Sequence, residues 1–126
     1  MHAVKTVLVA LVAVEHVYIL ILEMFLWTTP RGRKAFGLTP EFATATKVLA
    51  ANQGLYNGFL AAGLFWSFFP SAASGGNALQ VFFLGCVIVA ALFGAATAKR
   101  SILVVQGGPA IVALAAVIAE TALGGR

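Results

Sequence analysis

Four long apolar stretches, residues 3–27, 41–69, 78–98 and 102–123, fill almost the whole chain, and only short breaks separate them. Each is close to or above the roughly 20 residues a helix needs to cross a hydrocarbon core about 30 Å thick. Membrane strands would alternate polar and apolar side chains over about ten residues, and no stretch does so. Backbone groups in lipid must then find their partners within the segment, which leaves helices. The expected fold is all-α: a polytopic membrane protein, an antiparallel bundle of four transmembrane helices, forming a single domain over residues 1–126. The first two stretches exceed the minimum length, so they tilt or project beyond the bilayer. Composition agrees, with 61% hydrophobic residues and 10% charged, against about 25% charged in a soluble domain.

The breaks carry their own signals. Thr28, Thr29 and Pro30 end the first span, because proline lacks the N–H that continues a helix. In the loop that follows, Thr39 is placed to cap the next helix with Pro40 at its first position. His2 and Lys5 ahead of an apolar run resemble a secretory leader. The run continues to Trp27, too long for such a leader, and is read as a retained first span. Net charge is +4, but the cations cluster where membrane loops fall. They are read as topology signals and contacts to anionic lipid, not as a nucleic-acid surface. Arg31, Arg33, Lys34, Lys99 and Arg100 place the loops at 28–41 and 99–101 in the cytoplasm, with both termini outside and the plasma membrane as the expected location.

Small residues recur every fourth position: Ala50, Gly54, Gly58 and Ala62 in the second span, and Ala90, Gly94 and Ala98 in the third. Such stripes let helices approach closely. They fit packing within one bundle or a homo-oligomer seam. The single cysteine, Cys86, sits in an apolar run and is read as a buried inert thiol. There is no metal-ligand spacing, and no cofactor is expected.

Polar groups inside the spans need partners. Glu23 and Lys47, each a few residues from the expected cytoplasmic end of its helix, are expected to form an ion pair, the alternative being that Lys47 snorkels to the interface. Lys5 and Glu120, near the outer ends of the first and fourth spans, could pair as well or simply meet headgroups and water. Glu15 differs. It lies twelve residues from either end of its span, about 18 Å, and no lysine or arginine falls at that depth. A lone carboxylate there is a functional candidate. At matching depth the second span carries "NQGLYNG" (residues 52–58), and Tyr18, Glu15, Glu23 and His16 cover one side of the first. A polar site between these two helices is therefore expected. Glu15 and His16 form its hypothetical acid/base pair, and Tyr18, Glu23, Asn52, Gln53, Tyr56 and Asn57 are candidate ligand-binding residues. Gln106 is added from the fourth span, where Gly107, Gly108 and Pro109 favour a kink.

A neutral carboxylic acid beside a neutral imidazole suits isomerisation or cyclisation of a small lipophilic molecule. By analogy the pattern resembles sterol-isomerase-like membrane enzymes. A second class is a proton-coupled exporter working through Glu15, since small multidrug transporters also have four helices and one such glutamate in the first. A third is a structural or assembly subunit, with the amides as glue between helices. The residues leave open whether the chain is an enzyme.

Four blocks, "EHVYILILEM" (residues 15–24), "KVLAANQGLYNGFLAAGL" (47–64), "FFLGCVIVAALFGAAT" (82–97) and "VVQGGPAI" (104–111), resemble one small membrane-protein family, catalogued as domain of unknown function thirteen-oh-four. The resemblance runs over nearly the whole chain. It implies a four-helix integral membrane protein and no particular activity.

Overall fold

The computed structural model describes residues 2–69 and 75–124. Residues 70–74, most of the loop expected between the second and third spans, lie outside the described residues, as does Arg126. Regular structure among the described residues is helical: α1 His2–Met24, α2 Pro30–Phe36, α3 Pro40–Trp66, α4 Gly76–Thr97 and α5 Gly108–Gly124. A π-helical turn, Leu103–Gly107, runs directly into α5.

The expected loop after the first span contains a helix. In α2 the Gly32 N–H donates to the Thr29 hydroxyl at 3.3 Å, and Pro30 takes the first position. The same hydroxyl donates to the Leu26 carbonyl at 2.7 Å, so Thr29 serves groups on both sides of the break. Gly37 ends α2 with φ of 68°, a left-handed conformation that costs glycine nothing. The start of α3 matches expectation, with the Phe42 N–H donating to the Thr39 hydroxyl at 3.2 Å.

Among the described residues, three helical stretches are long and apolar enough to cross a membrane: α1, α4, and Leu103–Gly124 with its π turn. The longest helix, α3, is not among them. Thr44, Thr46, Lys47, Asn52, Gln53 and Asn57 thin its apolar character. Even so, large apolar side chains face outward along the helices. Val48, Leu49, Phe93 and Val104 are each 70% exposed or more.

The chain divides into two compact units, residues 1–14 with 60–126, and residues 15–59. In the first, Val9, Val12 and Ala13 of α1 join Leu64 of α3, Leu84 and Val87 of α4, and Ala110, Ala113 and Val117 of α5 in one core. Small side chains dominate it, which brings backbones close. At one end of this unit Lys5 and Glu120 form an ion pair. His2 Nδ1 lies 2.9 Å from the other Glu120 oxygen. Lys5 is 5% exposed and also donates to Asn77 Oδ1 at 2.8 Å. Asn77 in turn donates to Thr121 Oγ1 at 3.1 Å. A lysine shut in this way is tolerated because it has both a counter-charge and a hydrogen-bond acceptor.

The kink expected at Pro109 takes the form of the π turn. Pro109 has no N–H for the Val105 carbonyl, and its ring crowds that carbonyl. Widening the preceding turn relieves the crowding, and the Gly108 N–H reaches Leu103 O instead. Cys86 is half-buried rather than shut in. It lies with Phe82, Val89 and Phe93 along an apolar groove on α4. On the same helix, a Cβ added to Gly85 would meet nothing within 4 Å. Glycine inside a helix costs roughly 0.5–1 kcal/mol relative to alanine, so Gly85→Ala should raise stability by about that amount in thermal unfolding.

Candidate functional site

Residues 15–59 hold most of the expected site, and the packing of α1 on α3 within this unit decides which residues meet. Gly54 and Gly58 are the contact. A Cβ on Gly54 would lie 2.7 Å from Met24 Cγ and 3.0 Å from Glu23 Cβ, and one on Gly58 would lie 2.6 Å from Leu20 Cδ1. The two helices run antiparallel here, with Leu20 level with Gly58 and Met24 level with Gly54. For these two glycines, the small-residue stripe of α3 serves packing within the chain.

This register brings Glu23 to Asn57. The carboxylate Oε2 accepts from Asn57 Nδ2 at 2.7 Å, and the same Nδ2 lies 3.3 Å from the Gln53 carbonyl. Glu23 is 8% exposed. The expected Glu23–Lys47 pair does not form: Lys47 is exposed, and no ion pair in this unit involves it among the described residues. The reason is geometric. The expectation assumed that both helices end at one level. In fact Gly54, the partner level of Glu23, is fourteen residues into α3, about 21 Å. Lys47 is seven residues nearer the start of α3, about 10 Å away along the axis.

The same register corrects the depth of the site. Asn52 to Asn57 lie at the level of Glu23, and Glu15 is eight residues, about 12 Å, further along α1. Glu15 is half-buried and His16 is 1% exposed. Neighbouring helical residues diverge by about 100°, and burial separates this pair accordingly. His16, Ile19 and Glu23 follow the i, i+3, i+7 spacing of a single buried seam. Glu15 and exposed Tyr18 sit on its flank.

On α3, Asn52, Gln53 and Tyr56 are exposed and occupy the sector turned away from Gly54 and Gly58. They do not face α1. Tyr56 stacks edge-on against Phe59 of the same helix at 5.8 Å. Of the residues expected between the two helices, the structure thus brings Glu23 and Asn57 together and leaves Asn52, Gln53, Tyr56 and Tyr18 facing outward. Gln106 belongs to the other unit, half-buried on the π turn.

The sequence reading missed a second polar contact. Gln80, 3% exposed, donates to Ser67 Oγ at 3.1 Å, and Ser67 donates to Leu64 O at 2.6 Å. An amide flanked by apolar residues early in α4 is the signal that could have found it. Among the described residues no group of three or more His, Cys, Asp or Glu could hold a metal ion.

What the site offers chemically is a buried carboxylate bonded to one amide, beside an exposed strip of two amides and a phenol. These are donors and acceptors for an uncharged polar group. No solved structure matches the chain. "Uncharacterized protein YpaA" of Lactococcus lactis subsp. lactis (strain IL1403) is 36% identical over 112 residues, covering 86% of this chain and 91% of that one. A family model matches residues 10–118, and it is the family the four quoted blocks resemble. The chain belongs to the family described as protein of unknown function (DUF1304).

Proposed function

We propose that this chain is an integral membrane protein crossing the bilayer four times, through α1, α3, α4 and α5 with its π turn, and that α3 binds a small lipophilic molecule. The observation that carries this is the exposed strip of Asn52, Gln53 and Tyr56, flanked by exposed Val48, Leu49 and Phe59. An amide without a hydrogen-bond partner is costly in hydrocarbon. A bound molecule with a hydroxyl or carbonyl at one end and an apolar body would satisfy the amides and cover the apolar flanks. The Glu23–Asn57 pair lies at the edge of this strip and holds Asn57 in place.

The same strip favours a second reading, a neighbouring membrane helix docked through its amides, because Asn and Gln join helices in this way. Native mass spectrometry of gently purified protein separates the two. Asn52→Leu and Tyr56→Phe alter exposed side chains and should leave the fold intact. The expected result is a small-molecule adduct on the wild type that is lost from both variants. A protein chain lost in its place would establish the second reading. Unchanged spectra for all three proteins would sink both.

A further inference from the structure

We propose that α2 and the turn before it form a binding site for the phosphate of an anionic phospholipid headgroup, with Arg33 as its centre. Four observations within residues 15–59 lead there. First, α2 has two faces. Gly32 is buried and Phe36 half-buried, whereas Arg31 and Lys34 are exposed on the opposite side. Second, aromatic groups of the kind that settle at a membrane interface anchor it. Trp27 packs on Phe36 with ring centroids 4.8 Å apart, and its indole N–H donates to Thr46 Oγ1 at 3.0 Å. Third, the cations have no acidic partner. Both ion pairs within 4.0 Å among the described residues go to Glu120, in the other unit. Fourth, Arg33 is half-buried with its Nε shut in and without an acceptor.

An arginine Nε held without an acceptor is costly, and at headgroup depth the abundant acceptors are phosphodiester oxygens. Arginine matches phosphate with a planar fork that lysine cannot reproduce. Arg31 and Lys34 add two further positive charges on the accessible side, which favours net-anionic over zwitterionic lipids. The site rests on the membrane placement proposed above but not on the ligand reading for α3.

The test uses the whole chain in detergent, with phosphatidylglycerol or phosphatidylcholine added, read by native mass spectrometry. Wild type should retain phosphatidylglycerol over phosphatidylcholine. Arg31→Gln, Arg33→Gln and Lys34→Gln should each lower that retention by about fivefold, the weight of one basic residue near an anionic surface. Arg33→Lys, which keeps the charge but not the fork, should also lose retention. Equal retention of both lipids by wild type, or an Arg33→Lys protein indistinguishable from wild type, would overturn the site. So would displacement of the lipid by inorganic phosphate at equal concentration, which would make the ligand a soluble anion. If the Arg33 variants fail to fold, the exposed double variant Arg31→Gln/Lys34→Gln decides, and undiminished retention there overturns the site. A chain washed from membranes by alkaline carbonate fails the membrane placement itself. One that stays embedded but does not discriminate lipids fails only this proposal.

Discussion

Gly32→Ala should be among the most damaging single-methyl additions in this protein, lowering stability by about 3 kcal/mol, the upper end for overpacking a tight site. A Cβ at this position runs into the backbone carbonyl of Leu26 and lies 2.7 Å from its carbon. Backbone cannot turn aside as a side chain can. Relief would require α2 to lift off the turn that follows α1, breaking the Thr29 hydrogen bonds that join the two. Thermal unfolding in detergent should show a clearly lower midpoint for this variant. Gly37→Ala, which meets the strain of a left-handed φ, should cost about 1 kcal/mol. A Gly32→Ala protein as stable as the Gly37→Ala one would mean that α2 does not pack as described.

The second large effect lies in the other unit. A Cβ on Gly63 falls onto the ring of Phe83, against three of its atoms. Phe83 is half-buried and packs against the core, so its ring must shift for the methyl to enter. Gly63→Ala should therefore cost about 2–3 kcal/mol. Unlike Gly32, however, its obstacle is a side chain that can itself be exchanged. Phe83→Leu alone should also destabilise by leaving space beside Gly63, yet combined with Gly63→Ala it should recover a large part of the loss. The two changes fill and empty the same volume, so their effects cannot add. Strict additivity in a double-mutant cycle would show that the two residues do not meet.

These glycines illustrate what the sequence could and could not disclose. Of the four apolar runs marked as spans, three match helices long and apolar enough to cross a membrane to within a few residues, because that property is composition summed over many turns; the fourth, in α3, is thinned by its polar residues. Thr39–Pro40 marked the start of α3, since capping is local chemistry. For Lys5 and Glu120 the sequence left two outcomes open, a pair or contact with headgroups and water, and the pair is the one that forms. The Glu23–Lys47 pair was misplaced because depth was counted from span ends, whereas α3 runs well beyond the end of α1. Thr29–Pro30 and Gly37 are a helix start and stop only seven residues apart, and were read as a break because α2 is too short to show an apolar period. The contrast between Glu15 and His16 was available in the spacing. Lys5, Val9, Val12, His16, Ile19 and Glu23 recur at alternating intervals of four and three, the mark of a buried seam, and all six are buried. Weighing charge ahead of periodicity drew attention to the flank instead. Nothing local revealed that Asn52, Gln53 and Tyr56 turn away from α1, since that depends on Gly54 and Gly58 meeting Leu20, Glu23 and Met24.

The π turn at Leu103–Gly107 also constrains how this chain can change length. A five-residue turn holds one residue more than its α-helical counterpart, so it acts as an absorbed insertion. Everything downstream therefore keeps the phase it would have after a regular helix one residue shorter. Deleting one residue here should close the turn to an ordinary helix and leave Ala110, Ala113 and Val117 facing the core. The same deletion inside α5 would rotate everything after it by about 100°. Single-residue gaps between family members should therefore collect at the glycine–proline junction, with the apolar pattern of the following helix unchanged.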